Sequence, residues 1–232
     1  MTKEAGNNEE KIKLITTDDG SHSLYVPNLN ETYHSFHGAV QESRHVFIEM
    51  GLAHQKSRGL KNIKIFEVGL GTGLNALLTA EFAEKHQIPV HFTSIEAFPV
   101  DFELIKQLNY TSYLDLPKAK SWFEKIHTSQ WNEDIVISPF FTLNKIQTKL
   151  EDYVAQGSTF DIIYFDAFAP NKQAELWDIT ILSDISNSMK HGGIFVTYCA
   201  KGQLKRDLQS LHLNVETLPG PPGKKEMVRA SK

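Results

Sequence analysis

The feature that most constrains the fold is a glycine-rich stretch placed directly after a hydrophobic run. Residues 63–68 have the composition of a buried strand, and Gly69, Gly71 and Gly73 lead from them into a helical pattern. Glycine adopts positive φ without steric cost and lets a backbone come close to another group. A strand, a glycine turn and a helix in this order are typical of doubly wound α/β sheets, which bind ligands at the carboxyl ends of their strands.

The spacing of the glycines separates this loop from other nucleotide-binding loops. Dinucleotide sites use G-x-G-x-x-G, whereas this chain has G-x-G-x-G with an acid, Glu67, before the first glycine. No Gly-Lys-Ser/Thr follows, which excludes a P-loop. A second acid, Glu96, ends the next hydrophobic run, where a carboxylate can accept both hydroxyl hydrogens of a ribose. Tight strand–helix packing explains the glycines taken alone, but Glu67, Asn75 and Glu96 in the same unit favour a cofactor site.

Strand-like and helix-like segments alternate along the rest of the chain. We predict a β-hairpin over residues 12–25, a loop at 27–38 and strands at 63–68, 90–95, 134–138, 160–166 and 193–198. We predict helices at 39–54, through Leu74, Leu77, Leu78 and Phe82, and at 100–109, 115–127, 146–154, 174–189 and 203–211. Two final strands, 214–217 and 226–229, predict an antiparallel edge hairpin. The pattern indicates an α/β fold with a mostly parallel, seven-stranded sheet.

Length and composition fit one domain that carries an N-terminal addition. The chain has 232 residues, of which 41% are hydrophobic and 22% charged, values typical of globular proteins. We predict an elaboration over residues 1–59, frayed at 1–10, packed on a core at 60–232. The N-terminus lacks a signal-peptide core, no stretch suffices for a membrane helix, and Cys199 is the only cysteine. These observations predict a cytoplasmic protein.

Charge and histidine spacing exclude two further classes. Lys and Arg total 24 against 28 Asp and Glu, a formal net charge of −4, which argues against a broadly basic nucleic-acid-binding surface. The ten histidines show no metal-ligand spacing, so no metal site is expected.

A second candidate site follows the fourth predicted strand. Asp166-Ala-Phe168-Ala-Pro170 joins an acid, an aromatic residue and a proline at a strand end, which predicts that Asp166 faces the same crevice as the glycine loop. An Asp that caps the following helix is the alternative interpretation. Lys201 follows the fifth strand and is a candidate phosphate contact. Five other basic residues are candidates too: Lys205, Arg206, Lys224, Lys225 and Arg229. For all six, a solvated surface is an equally good explanation.

The strand, glycines and acids resemble the cofactor-binding pattern of Rossmann-like, class I S-adenosylmethionine-dependent methyltransferases, over roughly residues 60–232. The resemblance implies S-adenosyl-L-methionine as cofactor, with Glu67 ordering the loop near the methionine amino group and Glu96 binding the ribose. It implies further cofactor contacts from Gly69, Gly71, Thr72, Gly73, Asn75 and Asp166. Tyr33, His34, Glu42 and His45 are candidates for a roof over the cofactor, although isolated histidines are more often structural.

Five segments also resemble, in order, the methyltransferase domain of the MnmC family of tRNA wobble-uridine enzymes. They are residues 19–23, 33–35, 42–47, 166–170 and 224–227. The resemblance implies N-methylation of the 5-aminomethyl group of 5-aminomethyl-2-thiouridine in tRNA. Asp166 would orient the amine as the catalytic residue, and Phe168, Pro170 and Lys201 would contact the substrate.

Several members of that family fuse this domain to an FAD-dependent oxidoreductase that makes the aminomethyl group. This chain stops shortly after Lys224-Lys-Glu-Met227, so we expect a separate oxidoreductase to supply its substrate. Two alternatives stay open: a methyltransferase for a small amine or a protein, and a non-catalytic cofactor-fold subunit of a tRNA-modifying complex. The sequence also departs from the pattern at 139–144, where an adenine contact is expected and no acid occurs.

Overall fold

A twisted eight-stranded sheet forms the centre of the computed structural model, which describes residues 11–155 and 157–232; the predicted frayed segment 1–10 lies outside them. The strands of this sheet are β4 (Ile63–Val68), β5 (Val90–Ile95), β6 (Asp134–Ser138), β7 (Phe141–Ile146), β8 (Phe160–Phe165), β9 (Met189–Thr197), β10 (Asn214–Pro219) and β11 (Glu226–Ser231). Their order is β10-β11-β9-β8-β4-β5-β7-β6. The five central strands, β9 to β7, are parallel, and antiparallel partners flank them on both sides. The predicted α/β class is confirmed.

Three short N-terminal strands form a separate antiparallel sheet. They are β1 (Lys13–Thr16), β2 (His22–Val26) and β3 (Glu31–Thr32). The first two confirm the predicted hairpin over 12–25, and β3 lies within the segment predicted as a loop. A single turn of 3₁₀ helix, Pro27–Leu29, connects β2 to β3.

Helices cover both faces of the large sheet. Helix α1 runs without interruption through Ala39–Ser43, Arg44–Ala53 and His54–Ser57, its middle portion being π-helical. The other helices are α2 (Leu74–His86), α3 (Phe102–Ile105), α4 (Ala119–Thr128), α5 (Ile179–Ser188) and α6 (Gly202–Ser210). Helices α1, α2 and α4 contribute to one apolar cluster with Ile65 of β4, and α5 and α6 contribute to another with Phe66. Consecutive strand residues therefore point to opposite, equally apolar faces.

The predictions between residues 134 and 154 were partly wrong. Strand 134–138 is present, but it pairs antiparallel with β7 at the edge of the sheet, and β7 is the strand that lies parallel to β5. Inward-facing Phe141, Leu143 and Lys145 give β7 the alternation of a half-buried strand. Instead of the helix predicted at 146–154, there is one 3₁₀ turn at Leu150–Asp152. The sheet consequently has eight strands rather than seven.

Among the described residues, no helix combines the length and the apolar character needed to cross a membrane.

Helix α1 packs closely on the sheet at Gly51. A Cβ atom at Gly51 would lie 3.3 Å from the side chains of both Tyr164 and Val196. We expect Gly51→Leu to lower the free energy of unfolding by about 1–3 kcal/mol through overpacking, although leucine has the higher helix propensity. Urea unfolding measures the change.

Glu49→Leu is the matched control, because Glu49 is an exposed residue of the same helix. Its effect should stay within about 0.5 kcal/mol. Equal stabilities of the two variants would contradict the close packing of α1 on β8 and β9.

Candidate active site

A cavity of about 810 Å³ opens at the carboxyl ends of the parallel strands. Each strand contributes the segment that directly follows it: the glycine loop after β4, Glu96 after β5, residues 148–151 after β7 and Asp166 after β8. This placement is the one that parallel α/β sheets use for ligands, and the volume lies within the usual range for ligand pockets.

All three glycines of the loop adopt positive φ, +88° at Gly69, +50° at Gly71 and +71° at Gly73. Each is also crowded. A Cβ atom would lie 3.1 Å from the Asp166 carbonyl oxygen at Gly69, 2.9 Å from the Tyr33 ring at Gly71 and 2.6 Å from the His127 ring at Gly73. The loop therefore requires glycine both for its conformation and for its packing.

Glu96 joins the end of β5 to the glycine loop. Its Oε2 accepts the backbone N–H of Gly71 at 3.0 Å and its Oε1 accepts that of Phe98 at 2.8 Å. An ionised carboxylate has about four acceptor positions, so two remain for hydroxyl groups inside the cavity. The carboxylate is thus held in one orientation by backbone donors while it stays able to bind a diol.

Glu67 and Asn75 lie next to Asp166. Ser94 Oγ donates to Glu67 Oε2 at 2.6 Å, and Asn75 Nδ2 donates to Asp166 Oδ2 at 2.8 Å. Burial raises the pKa of Glu67 well above its usual range, and the charge of Asp166 raises it further. Glu67 Oε1 and Asn75 Oδ1 are buried with no hydrogen-bond partner among the described residues. Asn75 and Asp166 line the cavity, whereas Glu67 lies behind its wall.

Asp166, on the cavity wall, has a pKa close to neutrality. Burial and the negative charge of Glu42 raise its pKa to about 7, against the opposing effects of the Asn75 hydrogen bond and of Lys224. A carboxyl group with a pKa close to neutrality can gain or lose a proton under ordinary conditions.

The N-terminal segment forms one wall of the cavity. The Tyr33 ring packs edge-on against Phe168, with ring centroids 5.1 Å apart. His34 Nε2 lies 2.7 Å from Thr72 Oγ1, and burial lowers the pKa of His34 to about 4, so the ring is neutral. Tyr33, His34 and Glu42, three of the four predicted roof residues, line the cavity. The fourth, His45, bonds the carbonyl of Pro219 instead and does not line it.

The residues predicted to bind substrate are divided between two neighbouring pockets. Phe168 lines the main cavity, whereas Pro170 and Lys201 line an adjacent outer pocket of about 520 Å³. Ala169, Tyr198 and Lys224 border both. The outer pocket also contains Lys225, so it brings three lysines together.

Two parts of the site were missed by the sequence analysis. Residues 148–151 line the cavity because β7 ends at Ile146, whereas the segment predicted to contact adenine, 139–144, forms the preceding turn and most of β7. Lys224 was considered only as a phosphate contact, yet it forms an ion pair with Glu42 and lies over the Tyr198 ring. The signal for 148–151 was the alternation of β7; no local signal pairs residues 42 and 224.

The chain belongs to the S-adenosyl-L-methionine-dependent methyltransferases: residues 105–232 match the model of the family with that description. This confirms the predicted enzyme class and its cofactor.

Within that class, the chain is similar in sequence to the proteins named MnmC. The chain is 28% identical over 233 residues to the tRNA 5-methylaminomethyl-2-thiouridine biosynthesis bifunctional protein MnmC of Cupriavidus metallidurans, covering 95% of this chain and 34% of that protein. It is 30% identical over 225 residues to the protein of the same name from Leptospira interrogans, covering 87% and 32%. The chain spans about a third of the length of the curated relatives it matches. The crystal structure of MnmC2 from Aquifex aeolicus shares its fold, with a TM-score of 0.77 at 23% identity over 97% of this chain and 72% of that one.

The residues of the cavity fit S-adenosyl-L-methionine by their chemistry. Glu96 offers free acceptor positions for two hydroxyl groups, and the unpaired Oδ1 of Asn75, a residue of the cavity wall, offers an acceptor for an ammonium group. A cation placed here also offsets the cost of burying the carboxyl groups of Glu67 and Asp166.

We expect Gly71→Val to abolish cofactor binding, because a side chain there meets both the positive φ and the Tyr33 ring. Isothermal calorimetry with S-adenosyl-L-methionine measures the loss, and circular dichroism checks that the variant is folded. Gly59→Val is the matched control: Gly59 also has positive φ, at +92°, but a Cβ atom there meets nothing within 4 Å. Normal binding of S-adenosyl-L-methionine by Gly71→Val would contradict the prediction.

We expect Glu96→Ala to weaken binding of S-adenosylhomocysteine by roughly 2–4 kcal/mol, since charge-assisted hydrogen bonds to a diol are lost. Glu96→Gln keeps the size and part of the acceptor capacity, so its loss should be smaller. An unchanged dissociation constant in Glu96→Ala would place the ribose elsewhere.

Proposed function

We propose that this protein methylates the primary amine of 5-aminomethyl-2-thiouridine at the wobble position of tRNA. The observation that carries the proposal is the position of Asp166, at the carboxyl end of β8, close to the border between the cofactor cavity and the lysine-containing outer pocket. The similarity to proteins named for 5-methylaminomethyl-2-thiouridine biosynthesis supports the choice of substrate.

For the cofactor, we assign Glu96 to the ribose hydroxyls and the glycine loop to the face beneath the methionine part. Asn75 would accept from the methionine amino group, with Glu67 ordering the loop behind it, and Thr72 would keep the loop in place through His34. When bound, S-adenosyl-L-methionine supplies a sulfonium methyl group, which the amine lone pair takes as the carbon–sulfur bond breaks and its electrons pass to sulfur.

Asp166 would orient the amine and receive its proton. An alkylammonium has a pKa near 10.4, so its neutralisation at pH 7 costs about 4–5 kcal/mol. Asn75 fixes one oxygen of Asp166 and leaves the other oxygen for the amine. Because burial brings the pKa of Asp166 to about 7, its carboxylate is a better proton acceptor than an ordinary aspartate, and water can carry the proton onward. Phe168 would form a wall for the uracil ring.

The outer pocket would hold the anticodon loop. Lys201 and Lys225 are exposed there and could contact phosphates around the flipped nucleoside. A small basic patch on a protein of net charge −4 favours local rather than extensive contact with RNA. The aminomethyl substrate would come from a separate oxidoreductase, and both enzymes would act in the cytoplasm. The alternatives to this proposal are methylation of a small amine, methylation of a protein, and a non-catalytic role.

We expect Asp166→Ala to bind S-adenosyl-L-methionine within about tenfold of the parent, a difference of ~1.4 kcal/mol. Its single-turnover methylation of tRNA bearing 5-aminomethyl-2-thiouridine should fall by about 10² or more, because one positioning group is lost. Calorimetry and methyl-transfer assays measure the two effects. Near-parental turnover would move the acceptor site away from Asp166, and no methylation of this tRNA by the parent would remove the proposed substrate.

The pH dependence should show two ionisations in the parent. Below a pH near 7, Asp166 takes up a proton and the rate falls; the bound sulfonium favours the carboxylate and moves this limb to lower pH. Toward alkaline pH the rate rises as the amine loses its proton. In Asp166→Asn the fall in rate below about pH 7 (the acid limb) should disappear. The rise toward alkaline pH (the alkaline limb) should remain, with a lower rate at every pH. An acid limb that persists in Asp166→Asn would assign it to another group.

A further inference from the structure

An ion pair lies close to Asp166, where the main cavity meets the outer pocket. Lys224, in the loop between β10 and β11, pairs with Glu42 of helix α1. Glu42 is buried, and its second oxygen accepts the backbone N–H of Ser35 at 2.7 Å. The pair thus joins a charge from the N-terminal segment to one from the C-terminal hairpin.

The position of Lys224 is fixed from several sides. Its ammonium lies 4.0 Å from the centroid of the Tyr198 ring, and the Tyr198 hydroxyl donates to the Ala167 carbonyl at 2.9 Å. The preceding Gly223 packs so tightly on the His37 ring that no Cβ atom would fit. Lys224 is therefore held at the site rather than extended into solvent.

Three titratable groups around the pair are uncharged at neutral pH. His34 is neutral because burial lowers its pKa to about 4, and burial raises the pKa values of Tyr198 and Cys199. Other charges act on these neighbours: Asp19 on His34, Glu31 on Tyr198 and Lys201 on Cys199. Asp166 responds to the pair itself, because its pKa is raised by Glu42 and lowered by Lys224.

The charges give a simple balance. The charges of the sulfonium, Asp166, Glu42 and Lys224 sum to zero, and a protonated amine beside these four groups would add one positive charge. Without Lys224 the site would carry one negative charge and would hold an ammonium group stably. An ammonium has no lone pair and cannot attack a methyl group.

We propose that Lys224 compensates the buried charge of Glu42, so that the acceptor site presents one carboxylate, Asp166, and does not hold the substrate amine as its ammonium. This inference rests on the proposed amine acceptor. It assigns Lys224 a different role from that of Lys225, which is exposed and has no buried carboxylate attached to it. A phosphate would be repelled by Glu42, which makes Lys224 the poorer phosphate ligand of the two.

The test is the pH profile of single-turnover methylation. In Lys224→Met the alkaline limb should move up by about one unit, so that the rate at neutral pH falls roughly tenfold while the rate at high pH recovers. Lys224→Arg keeps the charge and should keep the parental profile. Lys225→Met should weaken binding of the tRNA without moving the profile.

The double variant Glu42→Gln/Lys224→Met is the decisive comparison, because it removes both charges and leaves Asp166 as the single carboxylate. It should return the alkaline limb close to its parental position. A phosphate-binding role predicts instead that the double variant stays as impaired as Lys224→Met. Calorimetry with S-adenosylhomocysteine confirms that each variant keeps a folded cofactor site.

A second readout does not depend on methyl transfer. An anticodon stem-loop that carries a permanently charged trimethylammoniomethyl group should bind Lys224→Met more tightly, by about tenfold, than it binds the parent. Equal affinities together with an unshifted profile in Lys224→Met would overturn the inference and leave the proposed function intact. A parent protein that methylates no amine at any pH would overturn both.

Discussion

The conformation of the glycine loop is the constraint on which the site depends. Three left-handed residues within five positions bring the chain from β4 to α2, and three other parts of the protein pack against them: the end of β8, the N-terminal segment and helix α4. The loop N–H of Gly71 also fixes Glu96 at the end of β5. Asp166, Tyr33 and Glu96, on three walls of the cavity, are consequently linked through one short backbone segment.

The second organising feature is the concentration of carboxyl groups in a confined region. Glu67, Asp166 and Glu42 are each bonded by a different neighbour: a serine hydroxyl, an asparagine amide, and a backbone N–H with a lysine. Burial raises the pKa values of Glu67 and Asp166, and a cationic ligand relieves that cost. Cofactor binding and the protonation of Glu67 and Asp166 are therefore coupled equilibria. The affinity of the site for a sulfonium consequently depends on pH.

Local patterns predicted the parts of the fold that local interactions determine. Strands 63–68 and 90–95 agree with the structure because five of the six residues in each are buried, and a glycine turn ends the first. The edge around 134–146 was misjudged because Lys145, a lysine, occupies an inward position of β7, where it donates to the carbonyls of His127 and Ser129. The Glu42–Lys224 pair joins residues 182 positions apart, and no periodicity or spacing encodes such a contact; it exists only because α1 and the β10–β11 hairpin fold over the same strands.

The antiparallel strands at both margins of the large sheet have a consequence for solubility. Unpaired N–H and C=O groups at a sheet edge are templates for another chain, and proteins protect them with charges, prolines and bulges. Here β6 carries a bulge between Val136 and Ser138, and the Lys125 ammonium donates a hydrogen bond to the Val136 carbonyl. At the other margin β10 contains Glu216 and ends with Pro219. The five parallel strands that hold the cavity are thus never exposed at an edge, and intermolecular strand pairing would have to begin at positions that resist aggregation.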